Sequence, residues 1–299
     1  MAKETIPDYD SIQFTINEKH EDLLERKLIS TILEDGKLAV DLGGGYGRLT
    51  NILLDHFDKV LLLDYSTRNL ERASKSLDKD RVLFVRADIR NPPILNGSVD
   101  FIMSIRVLHH YADISFINSI VKKLKKEGKF LFNFNNISSP MIALHMIRSA
   151  FLARNIELNI FNPSVQVVKD SSGNRDIYFA SMNNILSKIP AGCSIDRVVG
   201  SGLFHNTLVE RKAESLNLQR LTEVELLISK VIRNPELYPD VFLLLRNEVS
   251  APSIEASNPL GIIICTSCGN SLQPAGNGAN CSKCGKEFTF SNGILDTIS

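Results

Sequence analysis

Two groups of residues in this sequence have types and spacing that could do chemistry. The first is Cys265-Thr-Ser-Cys268 and Cys281-Ser-Lys-Cys284, two C-x2-C pairs with twelve residues between them. Two close thiolate pairs offer four soft ligands in a tetrahedron, which suits zinc. Gly269 and Gly285 directly follow the second cysteine of each pair, where a tight turn needs a small residue. Four cysteine ligands would leave no open coordination position, so the expected zinc is structural. A redox dithiol is the alternative, and the presence of two pairs together argues against it. Cys193 lies outside this motif and reads as a small buried hydrophobe.

The second group is Asp41-Leu42-Gly43-Gly44-Gly45-Tyr46-Gly47. Glycines after a first strand let the backbone turn sharply and approach a ligand without a Cβ in the way. The dinucleotide fingerprint G-x-G-x-x-G fails here. Counted from Gly43 its last position is Arg48, and counted from Gly45 it is Thr50. Asp41 before the glycines would repel a pyrophosphate but suits a cation, such as an amino-acid ammonium. Asp64 lies about twenty residues past the first glycine, where ribose hydroxyls are held in such folds. Asp88 could accept from an adenine amino group. One such acid could simply cap a helix. Three at successive strand ends, beside a glycine loop, point to a shared ligand.

Elements that must position these groups are legible in the apolar pattern. Helical spacing runs over 21–33, and strands are expected at 37–42, 59–63, 81–86, 99–104 and 129–134. Helices at 48–56, 67–77 and 114–126 alternate with them, which signals a parallel sheet covered on both faces. The pattern then loosens. An apolar helix is expected at 141–152, a hairpin from 165–168 and 176–180, a helix near 183–188, and late strands near 195–199 and 241–245. Lys122, Lys123, Lys125 and Lys126 read as a solvated helix end. Residues 251–260 read as a linker. The domain organisation expected is 1–250 with a cap-like insertion at 137–180, then the linker, then a zinc ribbon at 261–299.

His109 and His110 follow the fourth strand, at the sheet edge where ligands bind. One could take a proton from a hydroxyl or carbon acid, or hydrogen-bond a substrate, and either could instead pack beneath the next helix. His145 and His205 carry no motif.

Composition narrows the class. Hydrophobic residues make up 43% and charged residues 23% of the 299, ordinary for a globular chain. The 34 Lys and Arg balance 34 Asp and Glu, which disfavours a dedicated nucleic-acid binder. The first ten residues are polar and acidic, unlike a signal peptide. No apolar run approaches the roughly 18 residues of a membrane helix. A cytoplasmic, reducing location is expected, in which clustered cysteines mean metal before disulfide.

The stretches VDLGGGYGRLT, VLLLDYS, RADIRNPP, GSVDFIMSIRVLHHYAD and KEGKFLF resemble the class I S-adenosylmethionine-dependent methyltransferases over roughly residues 35–135. The closest flavour is the small-molecule group that includes quinone-biosynthesis enzymes. The resemblance implies a Rossmann-like, doubly wound, seven-stranded α/β sheet in the order 3-2-1-4-5-7-6, its last strand antiparallel. It implies that Gly43, Gly45 and Gly47 line the methionine part of the cofactor and that Asp41 helps hold it. Asp64 with Tyr65 would bind the ribose side, Asp88 with Ile89 the adenine, and the stretch from Ser104 to Arg106 the methionine tail. The tail of the chain resembles the small zinc-ribbon proteins that activate tRNA, rRNA and protein methyltransferases. Their closing run appears here as Asn292-Gly293-Ile294-Leu295, without its proline.

Methyl transfer from S-adenosylmethionine to a small-molecule acceptor is the function these features imply, with a structural Zn2+ held by Cys265, Cys268, Cys281 and Cys284. One alternative is an RNA methyltransferase that docks rRNA or tRNA through its ribbon. Another is a non-catalytic cofactor-binding scaffold. A protein partner held through the ribbon is compatible with each.

Overall fold

The computed structural model describes residues 19–151, 156–157, 165–169, 176–204, 217–249 and 259–298. The N-terminal arm, the turn of the expected hairpin, His205 and most of the expected linker lie outside the described residues.

Five strands rich in Val, Leu, Ile and Phe build the centre. They are β1 (Gly36–Leu42), β2 (Phe57–Asp64), β3 (Val82–Arg86), β4 (Val99–Ser104) and β5 (Leu124–Asn136). All four pairings in the order β3-β2-β1-β4-β5 are parallel. Their near-continuous apolar runs follow from burial on both faces. In β1, Leu38, Val40 and Leu42 pack on one face and Ala39 on the other. The period-two alternation also puts Asp41 on the Ala39 side.

Helices α1 (Lys19–Ser30), α2 (Thr50–Leu54) and α3 (Thr67–Ser76) precede β1, β2 and β3, and α4 (Ile117–Val121) precedes β5. After β5 come α5 (Pro140–Phe151), β6 (Ile156–Glu157), and the antiparallel pair β7 (Val165–Lys169) and β8 (Asp176–Ala180). Strand β8 continues the sheet alongside the end of β5, pairing Asn135 with Phe179 and Asn136 with Ala180. After α6 (Met182–Leu186) come β9 (Cys193–Ser201), α7 (Leu218–Val231) and β10 (Asp240–Asn247). Strand β10 lies between β5 and β9 and is antiparallel to both. The core order β3-β2-β1-β4-β5-β10-β9, with β10 antiparallel, corresponds to the expected 3-2-1-4-5-7-6, and β8 and a strand of the tail extend the sheet beyond it.

Two departures from the expected elements have physical causes. The fourth helix ends at Val121, and the strand begins at Leu124 rather than 129. Lys125 pairs with Asp100 of β4 (2.8 Å), and Lys123 is buried with its Nζ on Asn96 Oδ1 (3.0 Å). Lys123 and Lys125 are therefore anchored at the strand start, whereas Lys122, the C-cap of α4, and Lys126 are exposed as a solvated helix end would be. Helix α7 was not expected, and its fully buried positions are polar. It buries Thr222 and Glu225 while Val224, Leu227 and Val231 are 48%, 62% and 75% exposed. Glu225 earns its burial by accepting the backbone N–H of Gly202 (2.6 Å) and of Leu203 (2.8 Å).

The cysteine-rich tail forms β11 (Leu272–Ala275), β12 (Gly278–Cys281), β13 (Glu287–Ser291) and β14 (Ile294–Asp296). The first three are an antiparallel meander, and β14 returns antiparallel to β13. On its other side β14 pairs in parallel with β3, matching Ile294 with Phe84 and Asp296 with Arg86. The tail thus extends the main sheet at its β3 edge. Ile262, Ile263, Phe288 and Leu295 are buried in the same core as Val40, Leu61 and Val85. No helix among the described residues is long and apolar enough to cross a membrane.

Candidate cofactor cavity and cysteine cluster

A cleft of about 910 Å³, the solvent at its open mouth included, lies at the C-terminal ends of β1, β2 and β4. Asp41, Gly43, Gly45, Asp64, Tyr65, Ile89, Arg106 and His110 all line it. Gly47, Asp88, Ser104 and His109 do not. Ile105, inside the stretch expected at the methionine tail, also lines it, as do Tyr46, Arg48, Asn69, Val107 and Tyr111, which the sequence did not assign.

The glycines shape the cavity wall in different ways. Gly43, Gly45 and Gly47 have φ of 76°, 57° and 79°, a region that side-chain-bearing residues rarely adopt. A Cβ on Gly47 would come within 2.6 Å of Leu77 Cδ1, whereas one on Gly45 would meet only Asn69, at 4.0 Å. Gly47 is therefore a packing glycine and Gly45 a surface one. Gly47→Ala is expected to cost about 2–3 kcal/mol of stability and Gly45→Ala about 1 kcal/mol. Urea denaturation of the two variants checks this order, and an equal or reversed cost contradicts it.

The acids differ as much. Asp41 is buried and accepts from Thr50 Oγ1 (2.7 Å). Burial pushes its carboxyl up from 3.8 to about 6, against the pull of the Thr50 hydrogen bond and the Arg48 charge. Asp64 uses both oxygens on the backbone, accepting the Gly45 N–H (2.9 Å) and the Ser66 N–H (2.8 Å), so it braces the glycine loop. Asp88 instead pairs with Arg90 (2.7 Å) and only its neighbour Ile89 reaches the cavity. Ser104 is fully buried and donates to the Leu42 carbonyl (2.9 Å), tying β4 to β1.

Arg106 holds a left-handed backbone, φ 61°, which an ordinary residue adopts only when its surroundings compel it. Its N–H donates to Asn133 Oδ1 (2.7 Å) and its guanidinium to Glu25 (2.6 Å) and Glu21 of α1. Glu25 and Asp22 also hold Arg48. Helix α1 thereby fixes two arginines that face the cavity. These partners stand far apart in sequence, so no spacing signal could have revealed them.

His109 and His110 sit in a single turn, Leu108–His110, with ring centroids 4.1 Å apart. They face different hollows: His110 lines the cavity described above, and His109 lines a smaller one beyond it.

In the tail, the Sγ atoms of Cys265, Cys268, Cys281 and Cys284 all lie within 4.8 Å of one another. The pairs Cys265–Cys284 and Cys268–Cys281 are 3.7 and 3.3 Å apart. A tetrahedral Zn–S distance of about 2.3 Å implies sulfur–sulfur edges of roughly 3.8 Å, so the set fits such an ion. Gly269 and Gly285 have φ of 73° and 71° and donate back to the Cys265 and Cys281 carbonyls. The resulting turns aim amide N–H groups at sulfur, as from Ser267 to Cys265 (3.4 Å). The N–H of Cys284 is foremost in drawing the Cys281 thiol down to about 6, while, against the pull of the Lys286 N–H, the hydrogen bond to Cys281 pushes the Cys284 thiol up to about 11.

The methyltransferase domain family matches residues 40–132, the stretch that carries the glycine loop, Asp64, Asp88 and both histidines. Residues 40–132 thus match a methyltransferase domain. The fold of the chain is similar to a solved S-adenosylmethionine-dependent methyltransferase of Mesorhizobium loti, at 18% identity and a TM-score of 0.53 over 76% of this chain and 100% of that one. It is likewise similar to a candidate methyltransferase structure from Listeria monocytogenes, at 15% identity and a TM-score of 0.53 over 77% and 99% of the two chains. A short-chain dehydrogenase reductase of Arabidopsis thaliana is 26% identical over 100 residues, 32% of this chain. This chain spans 37% of that curated relative.

Proposed function

We propose that this chain transfers a methyl group from S-adenosylmethionine to a small-molecule acceptor, with a structural zinc in its C-terminal ribbon. The observation that carries the reading is the cavity wall in which three glycines run between the carboxylates of Asp41 and Asp64. S-adenosylmethionine supplies a methyl on a sulfonium sulfur. In-line attack by an acceptor lone pair forms the new bond, and sulfur keeps the electron pair of the broken one. The chain's own residues hold and align, which in favourable systems accounts for roughly 7–11 kcal/mol of barrier lowering.

In this reading Asp41 holds the amino-acid ammonium and Gly43 and Gly45 let the backbone approach. Asp64 keeps the loop in shape beside the ribose, Tyr65 and Ile89 flank the nucleoside, and Arg106 stands at the methionine tail. Gly47, Asp88 and Ser104 act behind this wall. His109 and His110 are the candidate groups on the acceptor side, where a neutral imidazole can take a proton from a hydroxyl. Incubation with labelled S-adenosylmethionine and fractionated cell extract tests the reading. Label in the small-molecule fraction supports it, and label confined to RNA or protein overturns the choice of acceptor.

A further inference from the structure

We infer that Asp296 of the ribbon and Arg86 of β3 are positioning residues for the cofactor cavity, and that through them the ribbon sets the affinity for S-adenosylmethionine. The inference rests on the methyl-transfer reading above. Strand β14 meets β3 by side chains as well as by its ladder. Asp296 accepts from Arg86 Nη1 (2.9 Å), and Arg86 Nε donates to the Tyr65 carbonyl (3.2 Å). The same guanidinium stands over the Tyr65 ring, 5.4 Å from its centroid. One arginine thus joins a ribbon carboxylate to a residue that lines the cavity. Arg86 and Asp296 are both mostly buried, so salt screens this pair less than an exposed one.

Tyr65 is a place where such a hold matters. It follows the last residue of β2, so its main chain is past the ladder. Before it, Asp64 braces Gly45; after it, Ser66 caps α3, whose Asn69 lines the same cavity. An arginine side chain has much rotamer freedom to lose, and Asp296 holds its far end so that Nε stays on Tyr65. The main chain of Arg86 is held from the ribbon too: its carbonyl accepts the Thr297 N–H (3.1 Å) and Thr297 Oγ1 (2.7 Å). The Thr297 carbonyl in turn accepts from Thr266 Oγ1 (3.2 Å), and Thr266 lies inside the first cysteine pair. From the cysteine cluster to the cavity wall, every link is therefore a peptide or a hydrogen bond. Links of this kind carry coupling only if their members act jointly, which a double-mutant cycle measures.

Calorimetric titration of the full chain with S-adenosylhomocysteine tests this. Asp296→Asn keeps Oδ1 for the Ile298 N–H (2.9 Å) and removes the charge that Arg86 meets. It is expected to weaken binding about tenfold. Its zinc content is expected to stay at the wild-type value, and its thermal midpoint within about 4 °C. Arg86→Met is expected to weaken binding by a similar factor, and the double variant by no more than Arg86→Met alone. Arg86→Lys keeps a charge for Asp296 but has no fork with which to reach Tyr65 as well. It is expected to bind about tenfold more weakly, and it decides the matter where Asp296→Asn does not fold. Wild-type affinity in the folded variants overturns the inference. So does a double variant whose loss is the product of the two single losses, which is what two independent structural defects would give. A wild-type chain that does not bind S-adenosylhomocysteine overturns the methyl-transfer reading instead, and the positioning role with it.

Discussion

Asp41→Asn is expected to make the unliganded protein more stable at neutral pH while weakening its hold on S-adenosylmethionine. Burial raises the Asp41 carboxyl from 3.8 to about 6. A raised folded-state value means that the favourable contribution is complete below the unfolded value and is lost as pH rises through about 6. Above that point the protein carries a buried carboxylate that would be better solvated in the unfolded chain. Asparagine removes the charge, keeps the shape, and can still accept from Thr50 Oγ1. A gain of about 1–3 kcal/mol is expected near pH 8, shrinking as pH falls through the Asp41 transition. The cofactor ammonium loses a charge-assisted hydrogen bond in the same change, which corresponds to roughly 10- to 100-fold in affinity. Urea denaturation across pH and calorimetric titration read the two effects. A variant that is less stable than wild type near pH 8, or that binds the cofactor equally well, contradicts this role.

Removing the metal, or one of its ligands, is expected to have the largest effect on stability. The four thiols close the ribbon, and the ribbon supplies β14 to the edge of the main sheet. Ile262, Ile263, Phe288 and Leu295 are buried through that arrangement. Each such side chain contributes about 1.5–3 kcal/mol when buried. Cys281→Ser, or strong chelation, is therefore expected to lower the thermal midpoint by about 10 °C or more. Elemental analysis is expected to show one zinc per wild-type chain, none in Cys281→Ser, and an unchanged content in Cys193→Ser. A wild-type chain without metal, or one whose midpoint is unmoved by chelation, contradicts the zinc assignment.

The difference between what the sequence revealed and what it concealed is one of range. Strands β1 to β5 and the turn after β1 are local signals, carried by apolar runs and by glycines with positive φ. The cysteine pairs are equally local. What required the structure were partners distant along the chain. Arg106 meets Glu25 across 81 residues, and Arg86 meets Asp296 across 210. Asp88 looked equivalent to Asp64 because both end a strand, yet Arg90 takes its carboxylate and the cavity receives Ile89 instead. Helix α7 escaped because its fully buried positions are the polar Thr222 and Glu225 while Val224, Leu227 and Val231 are exposed, so it lacks the apolar stripe that marks a surface helix. The run Asn292-Gly293-Ile294-Leu295 was visible as a motif, but its place beside β3 was not.

Isothermal titration of the purified chain with S-adenosylmethionine, S-adenosylhomocysteine and NAD tests the central claim most directly. The acid-flanked glycine wall predicts one site that takes both sulfur nucleosides, releases heat with each, and ignores the pyrophosphate-bearing dinucleotide. Silence toward both sulfur nucleosides, or a preference for NAD, would contradict it.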